Sequence, residues 1–288
     1  MSKIATIGFF DGVHRGHRFL FAQLQEQARQ HDLSPVIYTF KQHPKLILTG
    51  QSPAMLTTMD ERLGLLETFA QVSALDFASV QHLTAEQFMR YLFVEEDVRI
   101  LLMGYDHSFG SDRLKGFSEY EKIARKIGLR VLRAHECLVG GLDVSSTRIR
   151  KLLNEGNIHQ ANRLLGYTYT LKGLVEHGNG IGNQIGFPTA NISLSNNKKL
   201  PMSGVYAACV KIDEASYKAV VNIGTNPTVG NDRLTVEVHI LDYQDDLYGC
   251  EIEVAFVDFI REERKFDSLQ ALQEQIAKDV ASLKTEKV

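Results

Sequence analysis

Tryptophan is absent from the 288-residue sequence, and cysteine is scarce, with three residues. Cys137, Cys209 and Cys250 stand far apart, which excludes a disulfide framework and any metal-ligand spacing. Buried thiols in a reducing compartment are the expectation. Long apolar runs are missing as well. Stretches such as VRILLMGY at 98–105 are too short to cross a bilayer, and the N-terminus enters a strand-like segment with no signal-peptide layout. Neither charge is in large excess: 32 Lys and Arg face 35 Asp and Glu, a net charge of −3. That balance argues against a non-specific nucleic-acid or membrane binder and leaves room for a local basic pocket. There is no low-complexity tract and no internal repeat. A cytoplasmic globular protein is expected, with neither nucleic acid nor membrane as a partner. The 44% hydrophobic and 23% charged residues suit a full core, and the length suggests two domains.

What is present divides into two halves with different periods. In the first half, apolar runs at KIATIGFF (3–10), PVIYTF (35–40), VSALDFASV (72–80), VRILLMG (98–104) and LRVLRA (129–134) read as strands. Helical patterns lie between them. The segment from His14 carries Phe21, Leu24 and Ala28 on one face. Thr58 with Glu61, Thr84 with Gln87, and Ser118 with Glu121 have capping-box spacing, and Gly128 reads as a stop. Buried strands separated by helices predict an α/β domain with a doubly wound parallel sheet. Two further helices are expected over 146–156 and 157–166, with stripes of Ile149, Leu152 and Leu153 and of Ile158, Ala161, Leu164 and Leu165.

After Gly166 the period falls to two. Segments at 167–178, 204–212, 217–224, 234–242 and 251–260 predict short antiparallel strands closing into a small β-barrel. The chain ends in an amphipathic helix with Leu269, Leu272, Ile276, Val280 and Leu283 expected inward. The domains are placed at 1–166 and 167–288.

The most informative stretch follows the first strand: GFFDGVHRGH, residues 8–17. In an open α/β sheet, ligands bind outside the C-terminal strand ends. A helix starting near His14 places His14, His17 and Phe21 on one face, with both imidazoles at the positive end of the helix dipole. Gly12 permits a tight turn, and Gly16 lets a bulky group lie against the helix. A nucleotide with its phosphates toward the helix start fits that arrangement. Spacing alone favours two exposed histidines. A metal site from Asp11, His14 and His17 matches no common zinc pattern, and Gly8 with Gly12 does not make a dinucleotide fingerprint.

GFFDGVHRGH resembles the nucleotide-binding signature of the nucleotidylyltransferase superfamily. Its FDGVHRGH form is similar to the bacterial bifunctional riboflavin kinase/FMN adenylyltransferase, or FAD synthetase, family. TFKQHP (39–44), MGYDHSFG (103–110) and DVSSTRIR (143–150) resemble that family's first module. IGFPTANI (185–192), VNIGTNPT (221–228), VEVHILD (236–242) and the segment 259–279 resemble its second. The resemblance implies a Rossmann-like adenylyltransferase domain followed by a riboflavin-kinase-like barrel. It implies two reactions: ATP phosphorylates riboflavin to FMN, and ATP then adenylylates FMN to FAD with release of pyrophosphate. ATP, FMN and riboflavin are the expected small-molecule partners, and Mg2+ the expected cofactor.

The resemblance also implies roles. His14, His17 and Arg148 are expected to be catalytic on the ATP phosphates. Gly8, Phe9, Asp11, Gly12, Gly16, Ser145, Ser146 and Thr147 are expected to bind the nucleotide. Asp106 and His43 are expected at the flavin. In the barrel, Thr189 and Asn191 are expected to hold the metal, and Glu237 to be the general base for the riboflavin 5′-hydroxyl. Here alternation puts Thr189 and Asn191 on the same side of an extended segment, and their oxygens suit magnesium. The glycine-rich stretch HGNGIGNQIGFPTAN (177–191) carries Ile181 and Asn183 where the family commonly has basic residues. A chain that retains only the adenylyltransferase, or a non-catalytic flavin or nucleotide binder, are the alternatives.

Overall fold

The computed structural model describes residues 1–178, 182, 185–195, 197–213, 215–225 and 234–285, with the side chains of 284 and 285 left aside. Ile181, Asn183 and the 226–228 part of VNIGTNPT therefore lie outside the described residues. Two compact units are resolved, Met1–Ser146 and Thr147–Val288.

The first unit holds a five-stranded parallel sheet in the order β3-β2-β1-β4-β5. Its strands are β1 (Lys3–Ile7), β2 (Ser34–Phe40), β3 (Gln71–Leu75), β4 (Val98–Met103) and β5 (Arg130–Arg133). Strand order reverses between β1 and β4, which makes their C-terminal ends the ligand-binding crevice of such sheets. Successive residues point to opposite faces, and both faces are covered. Ile4, Ile37, Ile100 and Leu102 meet Leu20, Phe21, Leu24 and Ala28 of α1 (Arg15–His31) and Leu66 of α3 (Met59–Glu67). Ala5, Ile7, Val36, Tyr38, Leu101 and Met103 meet α5 (Ala85–Val94) and α6 (Phe117–Ile127) through Phe88, Met89, Leu92, Tyr120 and Ala124. Each large apolar side chain so buried contributes about 1.5–3 kcal/mol.

The capping boxes at Thr58–Glu61 and Thr84–Gln87 are both present. The one expected at Ser118 is not. Helix α6 starts at Phe117, and its N-cap is Gly116 at φ 104°, two residues before Ser118, with no side-chain cap; Gly128 ends it as expected. The run VSALDFASV is also divided: β3 stops at Leu75, and Asp76 caps the short helix α4 (Phe77–Val80) by accepting from Ala78 N–H. An aspartate can offer the backbone this local hydrogen bond, and it overrides the apolar pattern. Helix α2 (Pro44–Thr49) was not evident from the sequence. A two-stranded hairpin, β6 (Leu138–Val139) and β7 (Leu142–Asp143), precedes the second unit.

The second unit opens with helices α7 (Ser146–Asn154) and α8 (Ile158–Leu165). Its strands β8 (Thr170–Glu176), β9 (Ala190–Leu194), β10 (Gly204–Ile212), β11 (Ala215–Thr225), β12 (Leu234–Ile240) and β13 (Glu251–Arg261) close into an antiparallel barrel, in the order β10-β11-β12-β9-β8-β13. The last helix, α9 (Leu269–Thr285), sets Val280 and Leu283 on Val205, Ala207 and Val220. The buried Asp279 accepts from the Arg261 guanidinium, Nη2 to Oδ2 at 2.8 Å, which ties α9 to β13. Leu269, expected inward, is exposed, because it starts the helix ahead of these contacts. Among the described residues, no helix is long and apolar enough to cross a membrane.

The caps give a differential test of this fold. Thr58→Ala should cost about 1 kcal/mol of stability, read as a lower urea midpoint for the N-terminal unit. Ser118→Ala, at an exposed position that caps nothing, should leave the midpoint in place.

Candidate functional site

In the first unit the site is built by the connection between β1 and α1. Phe10, Gly12 and Val13 have φ of 57°, 78° and 36°, the left-handed region that only glycine enters at no steric cost. A β-branched valine there is a genuine outlier, and such residues cost about 1–3 kcal/mol each. The loop persists because it is bonded from several sides. The Asp11 carboxylate, 3% exposed, accepts from Leu56 N–H and Thr57 N–H, each at 3.0 Å, and from the Thr57 hydroxyl at 3.1 Å. Gly12 N–H donates to the same hydroxyl oxygen at 3.0 Å. The Thr39 hydroxyl donates to Phe9 carbonyl, and Gly8 N–H to Tyr38 carbonyl.

His14 is the N-cap of α1 rather than its first helical residue. Its Nδ1 accepts from His17 N–H at 3.4 Å, and the two imidazoles stack with centroids 3.5 Å apart and planes 20° from parallel. The expected shared face is thus a stacked pair at the helix start. His17 Nδ1 is buried and has no hydrogen-bond partner. Burial, then the neighbouring His14, holds the His17 imidazole well below the ordinary histidine range, so it is neutral near pH 7. Gly16 serves the chain itself: a Cβ there would lie 3.2 Å from the His14 ring and 3.3 Å from the Val144 carbonyl. Gly8 lies against the Phe10 ring, 2.7 Å from where its Cβ would be.

A cavity of about 310 Å³ belongs to the barrel and one of about 730 Å³ to this unit. The larger one is lined by His17, Gly8 and Phe9 at one wall and by Phe40, Phe77 and Phe88 at another. Asp106, just past the end of β4, also lines it. His43 does not line it; it caps α2 by accepting from Lys45 N–H, and its ring meets that of Phe9 at 4.7 Å. Ser145 directly precedes α7. Ser146 opens that helix, and its hydroxyl donates to the Asp11 carbonyl at 2.8 Å, so the helix start is bonded to the loop. Thr147 and Arg148 follow in its first turn and belong by contact to the second unit.

Sequence reasoning missed Arg62. It is buried, donates to the Phe40 carbonyl at 2.7 Å and places its guanidinium 3.9 Å from the Phe9 ring centre. Burial pushes it down to about 10, opposed by the Asp11 charge. A lone arginine on a capped amphipathic helix reads as a solvated residue, so no sequence signal pointed to it.

In the second unit, strand register joins residues far apart in sequence. Glu237 on β12 pairs directly with Asn191 on β9 and with Asn222 on β11. Glu237, Asn222 and Thr189 line the 310 Å³ cavity, whose far wall is Leu272 and Ile276 of α9. Burial, then the charge of Glu263, raises Glu237 above the ordinary carboxylate range. Thr189 also lines a second cavity of about 280 Å³, with Asp245 and Tyr248. The PTAN segment is pinned by a 2.8 Å hydrogen bond between His239 Nδ1 and the Pro188 carbonyl and by an edge contact of the His239 and Phe187 rings at 5.3 Å. A Cβ on Gly178 would fall 1.9 Å from Asn191 Nδ2, so this glycine makes room for the Asn191 amide.

Comparison with known proteins agrees with this division. A FAD synthetase family model matches residues 1–148 and a riboflavin kinase model matches 165–286. The chain is 39% identical over 285 residues to the bifunctional riboflavin kinase/FMN adenylyltransferase of Escherichia coli strain K12, covering 96% of this chain and 90% of that one. It is 37% identical to the protein of the same description from Pseudomonas fluorescens, covering 97% and 91%. A crystal structure from Streptococcus pneumoniae described as a macrolide-efflux protein superposes with a TM-score of 0.90 at 31% identity, over 99% of this chain and 95% of that one. With both family models matched in order along one chain, and with relatives of this identity spanning nearly its whole length, the protein belongs to the bifunctional riboflavin kinase/FMN adenylyltransferase family.

Proposed function

We propose that the chain makes FAD from riboflavin in two steps, each in its own unit. The observation that carries this is that both units pair a cavity with the chemistry its reaction requires: a neutral imidazole, His17, at a helix start in one, and a carboxylate with elevated proton affinity in the other.

In the barrel, riboflavin occupies the 310 Å³ cavity and ATP the adjoining 280 Å³ one. Thr189, which lines both, marks where the two substrates meet. Glu237 accepts the proton of the 5′-hydroxyl as its oxygen bonds to the γ-phosphorus, and ADP leaves. A base whose proton affinity is raised toward working pH suits that task. The residues present fit magnesium: Thr189 and Asn191 offer neutral oxygens, and Gly178 leaves the amide its place. When bound, the ion neutralises charge on the ATP phosphates. Thr189 and Asn191 would hold it together with those phosphates.

In the parallel-sheet unit, FMN and ATP share the crevice at the ends of β1 and β4. An FMN phosphate oxygen attacks the α-phosphorus of ATP, and pyrophosphate leaves. No covalent enzyme intermediate is required, so orientation and stabilisation of growing charge carry the rate. The latched loop supplies backbone N–H groups at the start of α1, and the imidazoles of His14 and His17 donate hydrogen bonds, His17 without the cost of a buried charge. Ser145 and Ser146, in the same unit, are assigned to the same phosphates; Thr147 and Arg148 are expected there only from their place in the sequence, directly after Ser146. Asp106 is assigned to the flavin, and His43, which does not line the cavity, only backs the Phe9 ring from outside it.

Separation of flavins after incubation with riboflavin, ATP and magnesium tests the proposal: FMN and then FAD should accumulate. His17→Ala should cut FAD formation by about a hundredfold or more, the scale seen when a transition-state donor is removed, and spare FMN formation. Failure to form either flavin from wild-type protein would defeat the proposal.

Gly178→Ala should do the reverse, lowering FMN formation at least about tenfold through displacement of Asn191 while leaving FAD formation from supplied FMN intact. Equal loss of both products would contradict the assignment of Asn191.

Glu263→Gln removes a negative charge that raises Glu237. The acidic limb of the kinase pH–rate profile should therefore move to lower pH, because Glu237 then stays deprotonated further into acid. An unmoved limb would show that Glu237 is not the titrating base.

A further inference from the structure

The larger N-terminal cavity has an unusual charge inventory for a site that takes two phosphate-bearing substrates. Its two imidazoles, His17 and His107, are both held down by burial and carry no standing charge near neutral pH. Asp106 adds a negative charge. Among the described residues that line it, Arg113 is the only lysine or arginine. It has no ion-pair partner among the described residues.

Arg113 is also held in place by an expensive turn. Its φ is 49°, and Gly110 in the same turn has φ 98°. The turn is tied to the start of α5 by three hydrogen bonds: Ser111 N–H to Leu83 carbonyl at 2.9 Å, Ser111 hydroxyl to His82 carbonyl at 3.0 Å, and Ala85 N–H to Asp112 carboxylate at 2.9 Å. Its other flank is fixed by the Tyr120 hydroxyl, which donates to the Phe109 carbonyl at 2.7 Å and accepts from Phe109 N–H at 2.9 Å. No side chain may be added at Gly110, where a Cβ would fall 2.6 Å from Ala85 N. A left-handed arginine that the surrounding bonds over-determine, at the rim of a cavity, is a site of stored strain of the kind found at ligand clamps.

We infer that Arg113 binds the phosphate monoester of the flavin substrate, and so selects FMN over riboflavin in the adenylyl-transfer step. This rests on the functional reading above. The cavity divides to suit such a ligand. Phe40, Phe77, Val80, Leu83 and Phe88 give an apolar wall for a planar ring system, while the segment Ser108–Arg113 gives a polar rim. A guanidinium donates two parallel hydrogen bonds to a phosphate and stays charged at any working pH. Arg113 and His17 line one cavity, so the nucleophilic phosphate is held in the space where ATP is attacked.

Steady-state kinetics of the full chain with FMN, ATP and magnesium test this. In Arg113→Gln the KM for FMN should rise about ten- to a hundredfold, the effect of losing hydrogen bonds to a charged group. The KM for ATP should stay within about twofold and kcat within about threefold, because the interaction is made equally in ground and transition states. Arg113→Lys should recover part of the loss, and FMN formation from riboflavin, a reaction of the other unit, should be unchanged. An unchanged FMN KM, or a rise in the ATP KM by the same factor, overturns the inference. A calorimetric titration of FMN alone separates it from the reading it rests on. If wild type yields no FAD, that reading fails, and Arg113 stands only where the variant loses an FMN-binding event that wild type shows. If wild type binds no FMN, or both proteins bind it alike, Arg113 falls as well.

Discussion

Asp11 accepts hydrogen bonds from the backbone of Leu56 and Thr57 and from the Thr57 hydroxyl, and this latch holds a loop whose own torsions oppose it. Three residues of the loop lie in the left-handed region, one of them a valine. A buried carboxylate left without partners would itself cost roughly several kcal/mol. The bonds to the 56–57 segment remove that cost and fix the loop at once. The arrangement at the start of α1 follows. His14 can cap the helix and stack on His17 because the backbone is turned at Val13. Gly16 admits the His14 ring. Ser146 reaches the Asp11 carbonyl because that carbonyl is held still. Arg62, buried beside the same carboxylate and under the Phe9 ring, joins the latch to a wall of the larger cavity.

The barrel reaches a comparable degree of order by a different route. Its site uses strand register rather than a strained turn. Asn191 and Glu237 are neighbours because β9 and β12 are paired in that register, and a slip of one residue would send one of them to the other face. Gly178 and His239 then settle which way the PTAN side chains can lie. In the proposed reading the two units solve one problem, holding a nucleophile against a phosphorus atom, with imidazoles at a dipole in one case and a carboxylate with neutral oxygens in the other. In both, the burial that shapes the cavity also sets the protonation state: it keeps His17 neutral and raises Glu237.

Much of this was legible in the sequence. Period and capping located the strands of the parallel sheet, two of three capping boxes, five of the six barrel strands and the last helix; β9 (Ala190–Leu194) was not among the strands expected. The FDGVHRGH and GFPTAN motifs each fall beside a cavity, one in each unit. The remainder depends on contacts between distant residues. Thr57 as partner of Asp11 lies 45 residues or more from the loop it holds, and nothing local marks it. Arg62 shares its helix pattern with solvated arginines. Ser118 had the spacing of a cap, yet the preceding glycine already started the helix. Asp76 broke an apolar run that looked continuous. In each case a tertiary or cap interaction outweighed a local preference.

The central claim is that the latched loop aims its imidazoles at the phosphorus that is attacked. The most direct measurement is a crystal structure of the full chain with a non-hydrolysable ATP analogue. The account predicts nitrogen atoms of His14 and His17 within hydrogen-bond distance of the phosphates, with the Asp11–Thr57 bonds intact. Rings turned from the nucleotide, or a nucleotide bound elsewhere in the N-terminal unit, would contradict it.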